Sequence, residues 1–170
     1  TDGEQVGIPL AVLSRLFGRG DEPRGGEARR WLWRAAEEIL PAREVGDFNQ
    51  ALTVNEAILR GRQLDDEGGL CWIEEPTRAD DFAGNRRICD ALDTPVQIGE
   101  NFMGPEQMAQ ALAAQASDYV MPDVQRIGGV TGWMRAAALA QGAGLEMSTH
   151  LFPEVSCHLL AVTPTGHWLE

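Results

Sequence analysis

Six ionisable side chains fall at near-regular intervals along this sequence. Asp47, Glu74, Glu100, Asp123, His150 and Glu170 are separated by 27, 26, 23, 27 and 20 residues. Each ends a short apolar run: "EVGDFN", "LCWIEEP", "PVQIGEN", "DYVMPD", "LEMSTH" and "GHWLE". An apolar run closed by a polar residue reads as a strand delivering one ionisable group to a rim. Neighbouring strands lie about 4.8 Å apart, so Asp47, Glu74 and Glu100 at one rim repel each other unless a cation sits among them. Oxygen-only ligands suit a hard ion, and Mg²⁺, which keeps positions open for water or substrate, fits best. Glu74 and Glu75 are adjacent, so their side chains point to opposite sides of a strand. Pattern leaves open which of them faces the ion, and Glu75 is equally suited to an electrostatic role beside it.

His150 follows Asp123 on the next strand end. A carboxylate that accepts a bond from one ring nitrogen fixes the tautomer and raises the basicity of imidazole, leaving the other nitrogen to take a proton. Glu170, one strand further, can serve as a protonated acid or bind a substrate carboxylate if the surrounding acids raise its pKa. Together these groups suit removal of a proton next to a carboxylate. His158, in a helical stretch, and His167, just before a strand, read as structural. "RIGGVTG" lacks the lysine of a P-loop and the glycine spacing of a dinucleotide fingerprint, and reads as a tight turn between strand and helix.

The elements that must position these groups alternate. Helical segments are expected near Val54 to Asp66, Asp81 to Leu92, Pro105 to Ala116, Val130 to Gln141 and Pro153 to Val162. Thr53 with Glu56 makes a capping box, Pro105 suits a first helical turn and "QGAG" ends a helix. Strands and helices in single file imply parallel pairing and an α/β protein. An open sheet gathers its ligand groups at one switch point, whereas a barrel draws them from the ends of many strands around a ring. The expected fold is therefore six consecutive strands of a TIM-type barrel over residues 45–170. Residues 1–44 do not keep the rhythm: "GRGDEPRGGEARR" is flanked by possible helices at Ile8 to Phe17 and Ala28 to Leu40, and no strand is evident before Val45.

The chain has 170 residues, a formal net charge of −12 and a pI near 4.6, which argues against a nucleic-acid surface. No apolar stretch of membrane-spanning length and no signal-peptide pattern occurs, so a cytoplasmic protein is expected. Cys71, Cys89 and Cys157 are odd in number and lack C-x-x-C spacing, which predicts reduced, mostly buried thiols. All 14 basic residues are arginine, so a lysine base is not available from this chain.

The phrases "DFNQ", "WIEEPT", "PVQIGENFMGPEQM", "MPDVQRIGGVTGW", "ALAQGAG", "MSTHLFPEVSCHLLAVTPT" and "HWLE" resemble the enolase superfamily, within it the mandelate racemase subgroup, from about Asp47 to Glu170. The resemblance implies a (β/α)7β barrel, normally completed by an α+β capping domain, and homo-oligomers are compatible with the full-length protein. It implies Asp47, Glu74 and Glu100 as Mg²⁺ ligands, which resolves the Glu74 and Glu75 ambiguity. By the same likeness Asn49 lies near a substrate hydroxyl, His150 is a base oriented by Asp123, and Glu170 is the acid bonded to the substrate carboxylate. The implied reaction is removal of the α-proton of a 2-hydroxy acid through an enediolate, with racemisation as outcome. Acid-sugar dehydration is the alternative.

The subgroup also carries a Lys-x-Lys motif on the strand before "DFNQ", whose second lysine is the base on the opposite face. The corresponding region near "RLFGRG" has neither lysine nor strand pattern. Missing first strands, capping domain and final tail point to a frameshifted or truncated gene product, and an inactive fragment is the third expectation.

Overall fold

The computed structural model describes residues 8–9, 45–68 and 70–170. The expected helix at Ala28 to Leu40, most of that at Ile8 to Phe17, and the "RLFGRG" region lie outside the described residues. Among the described residues seven short strands are present: β1 (Ile8–Pro9), β2 (Gly46–Asp47), β3 (Ile73–Glu74), β4 (Val96–Ile98), β5 (Tyr119–Val120), β6 (Glu146–Met147) and β7 (Trp168–Leu169). Five helices follow strands β2 to β6: α1 (Val54–Asp66), α2 (Phe82–Cys89), α3 (Pro105–Ala113), α4 (Gly129–Ala143) and α5 (Pro153–Ala161).

Local chemistry fixes the helix ends. Thr53 and Glu56 close the capping box of α1 reciprocally: Glu56 N–H donates to Thr53 Oγ1 at 3.3 Å, and Thr53 N–H to Glu56 Oε2 at 3.0 Å. Asp81 caps α2 through a 2.8 Å bond from Gly84 N–H. Prolines stand in the first turns of α3 and α5, where a missing N–H costs nothing. Gly144, at φ 71°, ends α4 in the left-handed conformation that glycine adopts without strain. "RIGGVTG" is indeed a turn into α4, and a side chain at Gly132 would run into the Ile127 carbonyl.

Strands β2 to β6 form a parallel sheet in sequence order, with Asp47 opposite Glu74 and Glu74 opposite Gln97. β7 continues it beside β6 without a full ladder. Met147 N–H donates to Thr165 O at 2.8 Å, His167 N–H to Met147 O at 2.9 Å and Thr149 N–H to Trp168 O at 3.0 Å. The α/β, TIM-barrel-like architecture is as expected. Two details differ. Ile8 and Pro9 are strand, pairing antiparallel with Leu169 and Trp168, where helix and no early strand were expected. The ladders are also shorter than the apolar runs, so Glu100, Asp123 and His150 stand beyond the last paired residues of β4, β5 and β6. The chains continue side by side there, since Asp123 and His150 still form a parallel bridge.

Parallel strands covered on both faces must be apolar throughout. Ile73, Val96, Ile98, Val120 and Met147 are accordingly buried, under a helix layer that includes Ile88, Met108, Trp133, Ala136, Ala140 and Leu159. Burial of each large side chain contributes about 1.5–3 kcal/mol. Trp133 also satisfies its indole N–H on Thr163 Oγ1 at 3.0 Å. Cys71, Cys89 and Cys157 form no disulfide and are half-buried, less deeply placed than expected. Burial, reinforced by Asp118, pushes the Cys89 thiol up to about 12.

Candidate active site

The ends of β2 to β7 form the rim that carries the ionisable groups, and the backbone there is strained. Asn49, Gln50, Glu75, Leu151 and Phe152 have φ of 43°, 62°, 42°, 52° and 50°. Left-handed conformations in non-glycine residues cost on the order of 1–3 kcal/mol each and persist only where the surroundings over-determine them.

Asp123 and His150 meet as expected. Their separation of 27 positions brings two strand ends into register, and His150 Nδ1 lies 3.0 Å from Asp123 Oδ2. The other Asp123 oxygen accepts the N–H groups of Gln125 at 2.7 Å and Arg126 at 3.0 Å. Burial works against the Asp123 charge, but the Arg126 N–H, His150 and the Gln125 N–H outweigh it and lower its pKa. His150 Nε2 lies 3.1 Å from Glu100 Oε2, so both ring nitrogens face carboxylates. Although burial opposes it, the bonds to Glu100 and Asp123 and the charge of Glu170 raise His150 to about 9. Glu100 is correspondingly lowered, first by its bond from His150.

Glu74 is buried and receives a 3.3 Å bond from Trp72 Nε1 on Oε2, while Oε1 has no hydrogen-bond partner among the described residues. Burial, only partly offset by Trp72, together with the charges of Glu170, Asp47 and Glu100 pushes it up to about 8. Glu170 is likewise raised by burial, with Glu100 and Asp47 adding to the effect against His150. Glu74 and Glu170 line one recess together with Trp72, Gln97, Thr149 and Trp168. Thr149 Oγ1 anchors Glu170 by accepting its N–H at 2.9 Å. Asp47 and Asn49 are exposed, and Asp47 Oδ1 accepts the Asn49 N–H at 2.7 Å.

Asp47, Glu74 and Glu100 thus share the rim and one another's fields. As the side chains stand, no group of three His, Cys, Asp or Glu among the described residues is gathered closely enough to hold a metal ion. The donor set nonetheless fits a hard cation: it is all carboxylate oxygen, and one Glu74 oxygen, set among like charges, is buried without a partner among the described residues. Asp47, Glu74 and Glu100 are the residues that could hold it.

Two contributors were not anticipated. Arg126 donates to the Glu100 carbonyl at 3.0 Å and to Asn101 Oδ1 at 3.2 Å, with the Glu100 carboxylate 3.5 Å away. The signal available was a lone cation three residues after Asp123. Thr149 gave none beyond its place in "MSTH". Of the other histidines, His167 has the expected structural place, accepting the Trp168 Nε1–H at 2.8 Å, whereas His158 is exposed on α5.

The sequence matches the profile of the Enolase C-terminal domain-like family over residues 24–170. It is 37% identical over 124 residues to the L-talarate/galactarate dehydratase of Salmonella typhimurium LT2, covering 73% of this chain and 31% of that protein. The curated relatives include dehydratases, epimerases and cycloisomerases, and the chain spans about a third of the length of those it matches. A crystal structure of an enolase from Bradyrhizobium complexed with magnesium and mandelic acid superposes with a TM-score of 0.74 at 39% identity, covering 90% of this chain and 42% of the other. The L-talarate/galactarate dehydratase structure from Salmonella typhimurium LT2 gives a TM-score of 0.73 at 33% identity, with 95% and 42% covered.

Proposed function

The chain belongs to the Enolase C-terminal domain-like family, and from that premise we propose that it carries the Mg²⁺-dependent half-site for removing a proton α to a carboxylate, acting on a 2-hydroxy acid as the mandelate racemase subgroup does. The observation that carries the reading is His150 held by Asp123 on a rim otherwise made of acids. Structures of neighbours hold magnesium, one of them together with mandelic acid. Asp47, Glu74 and Glu100 would hold the ion here, and when bound it supplies positive charge to a substrate carboxylate whose negative charge grows as the proton leaves.

The protein's own groups do the rest. Asp123 accepts the Nδ1–H of His150 and so fixes the ring, leaving Nε2 as the atom that takes the proton once Glu100 is otherwise engaged. Glu170, whose pKa is raised first by burial, is the acid that donates to the substrate carboxylate. Asn49 lies beside Asp47 and contributes its amide to the substrate hydroxyl. The same reading takes residues 45–170 as the incomplete barrel domain, with residues 1–44 an atypical segment that is either out of frame or a remnant of the early barrel, in a cytoplasmic protein able to form homo-oligomers. Among the described residues no helix is long and apolar enough to cross a membrane.

Identity to the dehydratase favours a second reading, in which His150 delivers a proton to the departing hydroxyl of an acid sugar. Incubation with Mg²⁺ in D₂O separates the two. Deuterium entering the α-position of mandelate, with or without loss of optical rotation, supports the first. A keto acid formed from galactarate or talarate supports the second, and neither product in the presence of bound metal refutes both.

A further inference from the structure

We infer that Glu75 is a positioning residue that holds the Asp47, Glu74 and Glu100 segments at their mutual spacing and is not itself a ligand, an inference that rests on the metal-site reading above. Strand alternation alone would send Glu75 away from Glu74. Its φ of 42° breaks the alternation, and both side chains are buried, with exposures of 3% for Glu74 and 2% for Glu75.

The backbone N–H, the carbonyl and one carboxylate oxygen of Glu75 each reach a neighbouring segment, while its Oε2 is buried with no hydrogen-bond partner among the described residues. Its carbonyl accepts the Gln50 N–H at 2.7 Å, tying it to the loop that carries Asp47 and Asn49. Its N–H donates to Gln97 O at 3.1 Å, on β4. Its Oε1 accepts the Gly99 N–H at 3.0 Å, on the residue immediately before Glu100. Gly99 permits this approach because its φ is 139° and an added Cβ would lie 2.9 Å from both Met121 N and the Phe102 ring. Next to Glu74 in sequence, Glu75 therefore ties its own segment to the other two acidic segments, to the Asp47 loop through its carbonyl and to the β4–Glu100 segment through both its N–H and its carboxylate. Outer contacts of this kind change metal affinity by about 10–100-fold when removed. Because the Gly99 bond needs only an acceptor oxygen at the right reach, an amide can replace the carboxylate and a shorter side chain cannot.

The test is Mn²⁺ affinity by electron paramagnetic resonance on the full chain, alongside hydrogen exchange of the Gly99 amide, for Glu75→Gln, Glu75→Asp and Glu75→Ala. Glu75→Gln should bind within about threefold of the unsubstituted protein, while Glu75→Asp and Glu75→Ala should weaken binding about 10–100-fold and speed Gly99 exchange. Should Glu75→Ala fail to melt cooperatively, Glu75→Asp carries the comparison. Equal loss in Glu75→Gln and Glu75→Asp would make Glu75 a ligand and overturn the inference. Unchanged affinity in Glu75→Asp overturns it too, leaving the metal reading intact. An unsubstituted protein that binds no Mn²⁺ refutes the metal reading and this inference with it.

Discussion

Asp123 and His150 meet through Oδ2 and Nδ1 at 3.0 Å, on two strand ends that still run side by side. The carboxylate is held from behind by the N–H groups of Gln125 and Arg126, so the pair is directed from the backbone rather than by chance contact. Substituting His150→Asn should lower α-proton exchange about 10²–10⁴-fold, the usual contribution of a positioned base. Asp123→Asn should cost about 10–100-fold while leaving the thermal midpoint nearly unchanged. Proton NMR in D₂O reads both, and full exchange activity in His150→Asn would remove the residue from the mechanism.

A single base also predicts stereochemistry. With no lysine anywhere in the 170 residues, the face opposite His150 has no lysine to serve it. One enantiomer of mandelate should exchange its α-proton and the other should not, with optical rotation slow to decay. Equal exchange of both would require a second base that the described rim does not supply.

The buried acid cluster should respond to metal through stability. Glu74 sits among like charges with one oxygen unpartnered among the described residues, so cation binding relieves repulsion present in the metal-free protein. Mg²⁺ at a hundred times its dissociation constant should stabilise by about 2.7 kcal/mol, reversibly with EDTA. In Glu74→Gln the metal-induced rise in Tm should vanish, while the metal-free Tm above pH 8 should match or exceed that of the unsubstituted protein. A metal response that survives this substitution would exclude Glu74 as a ligand.

Acid stability has a different origin, at Asp65. Its carboxylate, near the end of α1, accepts the N–H groups of Asp93 at 3.0 Å and Thr94 at 2.9 Å ahead of β4. Burial acts to raise its pKa, but the Thr94 hydroxyl and those two N–H groups together outweigh that and lower it. A lowered folded pKa means the contribution is complete above the ordinary aspartate value, about 3.9, and is lost as pH falls through the folded value. Thermal melts of Asp65→Asn between about pH 4 and pH 2 should therefore fall less steeply than those of the unsubstituted protein. Parallel curves would show that Asp65 does not couple folding to protons.

Much of this was legible in the sequence because its causes are local. The start of α1 follows from Thr53 and Glu56, and the starts of α3 and α5 from Pro105 and Pro153, each within one turn of the residue concerned. The order of the rim groups followed from one polar residue per apolar run, and the pairing of Asp123 with His150 from their succession on adjacent strands. What tertiary structure decided involves partners distant in sequence or backbone angles set by several segments at once. Ile8 and Pro9 became strand only by meeting Leu169 and Trp168 at the far end of the chain, which no local propensity encodes. Glu75 departs from regular strand geometry, with φ of 42°, where it bonds to the Asp47 loop and to β4, partners that its sequence neighbours do not reveal. Short-range hydrogen bonding wrote the elements and their order into the sequence, and long-range contact chose where the strands stop and which carboxylates the rim turns inward.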